Sequence, residues 1–243
     1  AANESLDNIQ PIRYWELPWD AETHSGNEQE LSDALTREFK EAVEMRLEAD
    51  VPLGAFLSGG VDSSAVVAFM AKAIKDKPVT TCAVGFDVKH FDETDFAQII
   101  ADRYQTNHSV EVVDHNDFSL IDKLIDVFDE PYADSSALPT FKVCQMARKH
   151  VTVALSGDGG DELFAGYRRY KLHLAEEKVR QKIPAFIRKT LFKPLGKLYP
   201  KLDWAPQFLR AKTTFQSLAM TTAEAFMNSM SKLRVDERQS LYT

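Results

Sequence analysis

Cysteine is scarce in this sequence, and its two residues, Cys82 and Cys144, lie far apart in unrelated segments. They form no metal-ligand spacing and no disulfide framework, which predicts two reduced, mostly buried thiols in a cytoplasmic protein. No apolar run approaches the roughly 20 residues of a membrane-spanning helix, and no secretory signal opens the chain, so we expect no membrane association. The net charge of −8 disfavours binding to nucleic acid or to anionic membranes, because both are polyanions.

Two common nucleotide-binding signatures are also absent. The P-loop pattern G-x-x-x-x-G-K-S/T does not occur, so no lysine is placed to reach a terminal phosphate. The glycine-rich stretch at residues 157–162 lacks the last glycine of G-x-G-x-x-G, and a Rossmann-type dinucleotide site is therefore not favoured.

The remaining pattern is that of a globular α/β protein. Hydrophobic residues make up 44% and charged residues 27% of the 243 positions, which suits one large domain or two small ones. Apolar spacing predicts helices over 28–49, 63–75, 93–104, 116–128 and 138–150, and strands over 51–57, 79–86, 109–113 and 151–155. This alternation predicts βαβ units around a parallel sheet with helices on both faces.

The pattern changes after Tyr167. Only helical and proline-punctuated segments follow, which predicts a helical carboxyl-terminal region over residues 168–243. Residues 168–201 carry eleven Lys or Arg against two Glu, a local charge of +9 that leaves −17 for the rest of the chain. Solvated basic helix faces are the simpler interpretation, and a docking face for a partner domain or an anionic substrate is the alternative.

One loop carries the strongest chemical signal. Residues 58–64, Ser-Gly-Gly-Val-Asp-Ser-Ser, follow a predicted buried strand and open a predicted helix. Gly59 and Gly60 allow a sharp turn that brings backbone N–H groups close to an anion, and the helix start adds further free N–H groups. Asp62 lies inside this phosphate-binding loop, which makes sense if its carboxylate holds Mg²⁺ against a polyphosphate.

Residues 58–64 resemble the pyrophosphate loop of the ATP pyrophosphatases. Residues 156–167, Ser-Gly-Asp-Gly-Gly-Asp-Glu-Leu-Phe-Ala-Gly-Tyr, resemble the second signature of the asparagine synthetase (glutamine-hydrolysing) branch, and residues 129–136 are also similar to it. The motifs occur in the family's order, and the resemblance extends over nearly the whole chain from Pro11. It implies an adenine nucleotide alpha hydrolase-like fold.

The resemblance also implies a set of site residues. The ATP-binding positions would be Phe56, Ser58, Gly59, Gly60, Asp62, Ser63, Ser64, Val84, Ser156 and Gly157. Asp62 and Asp161 would hold Mg²⁺, and Asp62 and Asp158 would take part in catalysis. Asp158 stands where the asparagine synthetases carry glutamate, and its carboxylate is one methylene shorter, which puts its catalytic role or the identity of the substrate in question.

The implied reaction is ATP-dependent amide synthesis. A carboxylate, aspartate if the resemblance holds, is adenylated with release of pyrophosphate, and ammonia then displaces AMP. The family draws ammonia from glutamine through an amino-terminal glutaminase domain, and neither cysteine here can supply that activity. We therefore expect residues 1–26 to be a linker from such a domain, 27–167 to be the ATP-pyrophosphatase domain, and 168–243 to be a truncated helical extension.

Several questions stay open at this stage. We expect the chain as given to bind ATP but to catalyse poorly, because the family's carboxyl-terminal helices supply further catalytic residues. Relatives amidate other carboxylates or close a lactam ring, so the acceptor is not fixed. A non-catalytic ATP-binding module is the alternative from another class, although two retained metal-binding acids argue against it. A homodimer is compatible with the sequence.

Overall fold

A computed structural model describes residues 11–16, 23–87, 89, 92–113, 120–129, 132, 134–200, 204, 206, 210–231, 233, 240 and 241. By its internal contacts the chain divides into two units, residues 1–48 and 49–243. The first unit contains helix α1 (Glu28–Glu44), which begins with a capping box between Asn27 and Glu30. The boundaries predicted at residues 26 and 167 stay predictions.

The second unit contains a parallel sheet of four strands in the order β3-β2-β1-β4. The strands are β1 (Leu53–Phe56), β2 (Thr80–Phe86), β3 (Asn107–Val113) and β4 (Val153–Leu155). The helices between and after them are α2 (Val61–Ala73), α3 (Thr94–Tyr104), α4 (Ile121–Phe128), α5 (Ala137–Ala147) and α6 (Gly160–Leu163). The predicted parallel sheet is therefore confirmed.

The strand order places helices on both faces. The chain runs outward from β1 through β2 to β3, and then returns to the other side of β1 as β4. Because such crossovers are right-handed, α2 and α3 cover one face and α5 covers the other. Cys82 of β2 accordingly packs with Met146 and Ala147 of α5, whereas Val67 and Met70 of α2 are fully buried.

The region after Tyr167 is helical, as predicted. It comprises α7 (Arg168–Lys182), α8 (Ala185–Leu198), α9 (Lys212–Ala219) and α10 (Thr222–Met230). Two buried arginines from α7 and α8 reach the carboxyl end of α9. Arg180 donates to the carbonyl of Ser217 at 3.2 Å, and Arg188 donates to the carbonyls of Leu218 and Met220 at 2.7 and 2.9 Å.

One expectation needs correction. Cys144 is exposed rather than buried, because it lies on the outer side of α5, whereas Cys82 is buried as predicted; both are free thiols. The start of the predicted helix 116–128 and three residues of the 129–136 motif, Glu130, Pro131 and Ala133, lie outside the described residues.

Candidate active site

A cavity of about 390 Å³ opens at the carboxyl edge of the sheet, where β1 and β4 lie side by side. This is where the chain reverses direction across the sheet, the place where open α/β sheets bind ligands. The lining comes from both glycine-rich loops and from β2 and α5. It consists of Phe56, Leu57, Ser58, Gly60, Asp62, Ser63, Cys82, Ala83, Val84, Phe86, Pro139, Thr140, Val143, Ser156, Gly157, Asp158, Gly159, Gly160, Asp161, Glu162 and Tyr167.

Hydrogen bonds of two serine hydroxyls, Ser58 and Ser63, hold the loop after β1 in its conformation. The hydroxyls of Ser58 and Ser63 lie 3.0 Å apart, and Gly60 N–H donates to Ser58 Oγ at 3.3 Å. Gly60 is the N-cap residue of α2, and no side chain among the described residues caps this helix. The first N–H groups of α2 are therefore left without intrahelical or side-chain acceptors, which is the arrangement that binds a phosphate at a helix start.

Gly59 fixes the position of this loop against α3. Its φ is +81°, and a Cβ there would lie 2.5 Å from Phe96 Cβ and 2.6 Å from Ala97 N. A side chain would therefore meet both a strained backbone conformation and a clash with the helix. Gly59 does not line the cavity; it lets the loop pack closely enough for its neighbours to do so.

The loop after β4 lies directly on the first loop. A Cβ on Gly157 would lie 2.6 Å from Ser63 N, and one on Gly160 would lie 2.7 Å from each carboxylate oxygen of Asp62. The Asp62 carboxylate thus rests on the backbone beside Asp161. Asp62 and Asp161, which follow different strands, therefore both contribute to the lining of one cavity.

The four acidic side chains of the cavity lining differ in whether they accept side-chain hydrogen bonds. Asp158 accepts a hydrogen bond from Ser156 Oγ at 2.9 Å, and Glu162 accepts one from Tyr167 Oη at 2.7 Å. Asp62 and Asp161 make no side-chain hydrogen bond within the part of the chain that the structure describes. Two carboxylates are therefore occupied by hydroxyl groups, and two have their oxygens free.

Glu162 and Tyr167 perturb each other. The hydrogen bond from Tyr167 lowers the pKa of Glu162, and the nearby Arg169 lowers it further. The same hydrogen bond raises the pKa of Tyr167, because ionising the phenol would remove the donor. The Arg169 guanidinium stacks on the Tyr167 ring, 3.9 Å from its centroid.

Ten of the residues predicted from the sequence line the cavity together. They are Phe56, Ser58, Gly60, Asp62, Ser63, Val84, Ser156, Gly157, Asp158 and Asp161. Gly59 and Ser64 do not; the Ser64 hydroxyl is shielded from solvent and has no hydrogen-bond partner in the part of the chain that the structure describes. Asp129, from the 129–136 segment that resembles the family, is the C-cap residue of α4, with φ 57°, and is not in the lining.

Sequence reasoning missed several lining residues. Glu162 and Tyr167 belong to the 156–167 motif, and their place in it is the signal that could have identified them. Pro139, Thr140 and Val143 of α5 and Cys82 of β2 carried no chemical signal. These residues form a mainly apolar wall, and they line the cavity because α5 packs on β2.

The donor set fits Mg²⁺ together with a polyphosphate. Among the described residues no three His, Cys, Asp or Glu side chains cluster as a metal site. Asp62 and Asp161 supply two free carboxylates beside a phosphate-binding loop, and Mg²⁺ commonly takes one or two carboxylates and completes its shell with phosphate and water. The protein therefore offers the part of the shell that a Mg-nucleotide does not bring itself.

The fold and the cavity define a parallel α/β domain with an anion-binding loop and an acidic wall. The chain belongs to the asparagine synthase family, because the family model "Asparagine synthase" matches residues 34–242.

The chain is similar to proteins named as asparagine synthetases and to one named as an amidase. It is 41% identical over 181 residues to the protein of Methanocaldococcus jannaschii provisionally named asparagine synthetase (glutamine-hydrolyzing) 2, covering 74% of this chain and 34% of that protein. It is 34% identical over 205 residues to asparagine synthetase (glutamine-hydrolyzing) 1 of Bacillus subtilis, covering 82% and 32%. Amidase chyE of Penicillium rubens is 28% identical over 182 residues, covering 68% and 27%. The chain thus spans about a third of the length of the curated relatives it matches.

Proposed function

We propose that this chain is the synthetase part of an enzyme that adenylates a carboxylate with ATP and then converts it to an amide, with aspartate as the substrate and asparagine as the product. The observation that carries the proposal is the meeting of two loops at one cavity. The loop after β1 offers free helix-start N–H groups, and the loop after β4 packs against the Asp62 carboxylate and carries Asp161 into the same cavity lining. An ATP-using amide-forming family matches this combination.

The nucleotide would lie across the cavity with its two ends in different surroundings. Phe56 and Val84, together with Val143, form an apolar wall that suits the adenine ring. Ser58, Gly60, Ser63 and the start of α2 would receive the β and γ phosphates. Ser156 and Gly157 lie where the two loops touch and would contact the remainder of the nucleotide.

Asp62 and Asp161 would hold the magnesium ion. When bound, Mg²⁺ neutralises charge on the polyphosphate and makes pyrophosphate a better leaving group. The chain's own N–H groups hold the departing phosphates in place, because they are fixed by the loop before the reaction begins. In this step an acceptor carboxylate oxygen attacks the α phosphorus, and the bond to the bridging oxygen breaks with release of pyrophosphate.

Asp158 has a separate role in the proposal. It lines the same cavity, and Ser156 Oγ holds its carboxylate, so it could take a proton from ammonia as the nitrogen attacks the acyl-adenylate and AMP leaves. The ammonia would come from glutamine, through a glutaminase domain of the same longer cytoplasmic polypeptide. We propose that the chain alone binds Mg-ATP but forms the amide slowly.

A second candidate is amidation of another carboxylate on the same machinery. Asp158 favours it, because a shorter acid reaches less far into the cavity than the family's glutamate. Product analysis with a panel of carboxylic acids, run in the presence of ammonia and Mg-ATP, distinguishes the two: asparagine as the dominant product supports the first, and preferential consumption of a different acid supports the second.

Calorimetric titration of the chain with ATP, with and without Mg²⁺, tests the nucleotide site. We expect saturable, Mg²⁺-dependent binding, and a loss of about tenfold or more in affinity in each of Asp62→Asn and Asp161→Asn, because each removes a charged metal ligand. Asp76→Asn is the matched control, since Asp76 is exposed and precedes β2, at the opposite edge of the sheet. Equal affinity in Asp62→Asn and wild type would contradict the magnesium assignment.

Exchange of labelled pyrophosphate into ATP separates a catalyst from a binding module. Carboxylate-dependent exchange shows that the adenylation step is reversible on the protein. Mg-ATP binding without exchange, under conditions where a control synthetase exchanges, would support the module.

A further inference from the structure

The lining of the cavity is negatively charged, although the ligands proposed for it are anions as well. The acidic residues in its lining are Asp62, Asp158, Asp161 and Glu162, and none of the described lining residues is Lys, Arg or His. The proposed function brings two anions into this space, the nucleotide and a carboxylate acceptor. Mg²⁺ and the loop N–H groups would compensate the phosphates, but nothing in the lining compensates a second carboxylate on a dicarboxylic acceptor.

Arg169 is a cation that contacts a residue of the cavity wall. Its guanidinium stacks 3.9 Å from the centroid of the Tyr167 ring, and Tyr167 is a lining residue. Its Nε is shielded from solvent yet finds no hydrogen-bond partner among the residues that the structure covers. Among the described residues the Arg169 side chain makes no hydrogen bond or ion pair at all, so its planar set of donors is not engaged.

Two other arginines of the helical region use their N–H donors in hydrogen bonds within the protein. Arg180 donates to Glu177 and to Ser217, and Arg188 donates to the carbonyls of Ile183, Leu218 and Met220. Arg180 and Arg188 therefore stabilise the packing of the helical region. Arg169 is stacked and positioned but is left with open donors, which is the state expected of a side chain that binds a ligand.

The neighbouring acid does not neutralise Arg169 directly. Glu162 accepts its hydrogen bond from Tyr167 Oη, at 2.7 Å, and forms no ion pair with Arg169. The phenol thus holds Glu162 in place while its ring supports the guanidinium. Arg169 and Glu162 therefore lie near each other without the bidentate arginine–carboxylate pair that would occupy the N–H donors of Arg169.

We propose that Arg169 is a specificity-determining residue that binds the non-reacting carboxylate of a dicarboxylic acceptor at the Tyr167 side of the cavity. A guanidinium fits this task because its parallel N–H donors match the two oxygens of a carboxylate. The reacting carboxylate is then left free to approach the α phosphorus. This assignment rests on the proposed function.

Acceptor binding to the nucleotide-loaded chain tests it. The chain is saturated with Mg²⁺ and α,β-methylene-ATP and titrated by calorimetry with L-aspartate and with β-alanine, which keeps the reacting carboxylate and the amine but lacks the other carboxylate. We expect wild type to prefer L-aspartate. In Arg169→Gln we expect L-aspartate affinity to fall about 10- to 100-fold, while β-alanine affinity and analogue affinity stay unchanged, because one charge-assisted pair is lost.

Two further variants complete the experiment. Arg103→Gln is the matched control, because Arg103 also stacks on a tyrosine, at 5.9 Å from the Tyr104 centroid, on α3 and outside the cavity lining. Arg169→Lys keeps the charge without the planar fork and should give an intermediate L-aspartate affinity. It also provides the test if circular dichroism shows that the Gln variant is unfolded.

The possible results separate this assignment from the proposed function. Unchanged L-aspartate affinity in Arg169→Gln overturns the assignment, as does an equal loss for L-aspartate, β-alanine and the analogue, which indicates a stacking role only. Absence of saturable L-aspartate binding to wild type overturns the assignment and the aspartate specificity together. Failure of the Mg-ATP titration, measured separately, overturns the proposed nucleotide site.

Discussion

At position 59 we expect any side chain to destabilise the loop, because the backbone there is left-handed and closely packed. Gly59→Ala combines a left-handed φ of +81° with a Cβ 2.5 Å from Phe96 Cβ. The strained backbone alone costs about 1–3 kcal/mol, and the clash adds to it. We expect a lower free energy of unfolding in urea and weakened Mg-ATP binding.

Gly159→Ala separates the two causes. Gly159 also has a left-handed φ, +92°, but a Cβ there meets nothing within 4 Å. It should therefore lose only the backbone term, and a loss in Gly159→Ala as large as that in Gly59→Ala would show that packing against α3 is irrelevant.

The Glu162–Tyr167 hydrogen bond predicts a pH dependence. The bond lowers the pKa of Glu162, so the folded state favours the carboxylate. Its contribution is fully present above the ordinary glutamate pKa and is lost as the pH falls through the depressed value. In Tyr167→Phe the pKa of Glu162 should rise toward its ordinary range, because the hydroxyl donor is removed.

Carbon-13 NMR titration of the glutamate side-chain carboxyls measures this shift. Glu224, whose pKa is lowered by the backbone and side chain of Thr221, is the internal control and should not move. An unchanged Glu162 titration in Tyr167→Phe would mean that the hydrogen bond does not form in solution.

Single residues also show where sequence reasoning stops. Ten predicted positions meet at the cavity because both motifs follow strands of a parallel sheet, and the carboxyl ends of such strands share an edge. The stacking of Arg169 on Tyr167 could not be foreseen, since it depends on how α7 leaves the second loop. The exposure of Cys144 likewise depends on which side of α5 faces the sheet.

At the scale of elements, α9 depends on arginines from its neighbours. The carbonyls at its carboxyl end receive Arg188 at 2.7 and 2.9 Å, where a cation also opposes the negative end of the helix dipole. Arg188→Met should destabilise the protein by about 2–4 kcal/mol, because buried carbonyls lose charged donors. Urea denaturation measures the change.

Lys189→Met is the comparison for this substitution, since Lys189 is the next residue along α8 and is exposed. We expect it to change the free energy of unfolding by less than about 0.5 kcal/mol. Equal stabilities of the two variants would contradict the capping role of Arg188.

The elements themselves were largely predictable. Every described strand overlaps a predicted one. For the central strands β1 and β2 the reason is that strands covered on both faces are short runs without charged residues. Helix ends were less accurate: α1 ends at Glu44 rather than at residue 49. The arginine caps of α9 were not predictable, since Arg180 and Arg188 lie in a strongly basic stretch where solvated charges are the usual expectation.

At the scale of the whole molecule, the candidate site belongs to one unit. Every lining residue falls between Phe56 and Tyr167, inside the unit of residues 49–243. The acidic cavity and the basic segment at residues 168–201 also lie in that unit. The nucleotide site should therefore not need the first 48 residues.

A chain of residues 49–243 should bind Mg-ATP with a Kd within about threefold of the longer chain, a difference of less than 1 kcal/mol. Circular dichroism and cooperative urea unfolding establish first that the shortened chain is folded, and Asp62→Asn in the same background shows that any binding uses the same site. A folded shortened chain whose affinity falls more than about tenfold would show that residues before Ala49 support the nucleotide, because the cavity lining itself is intact in both chains.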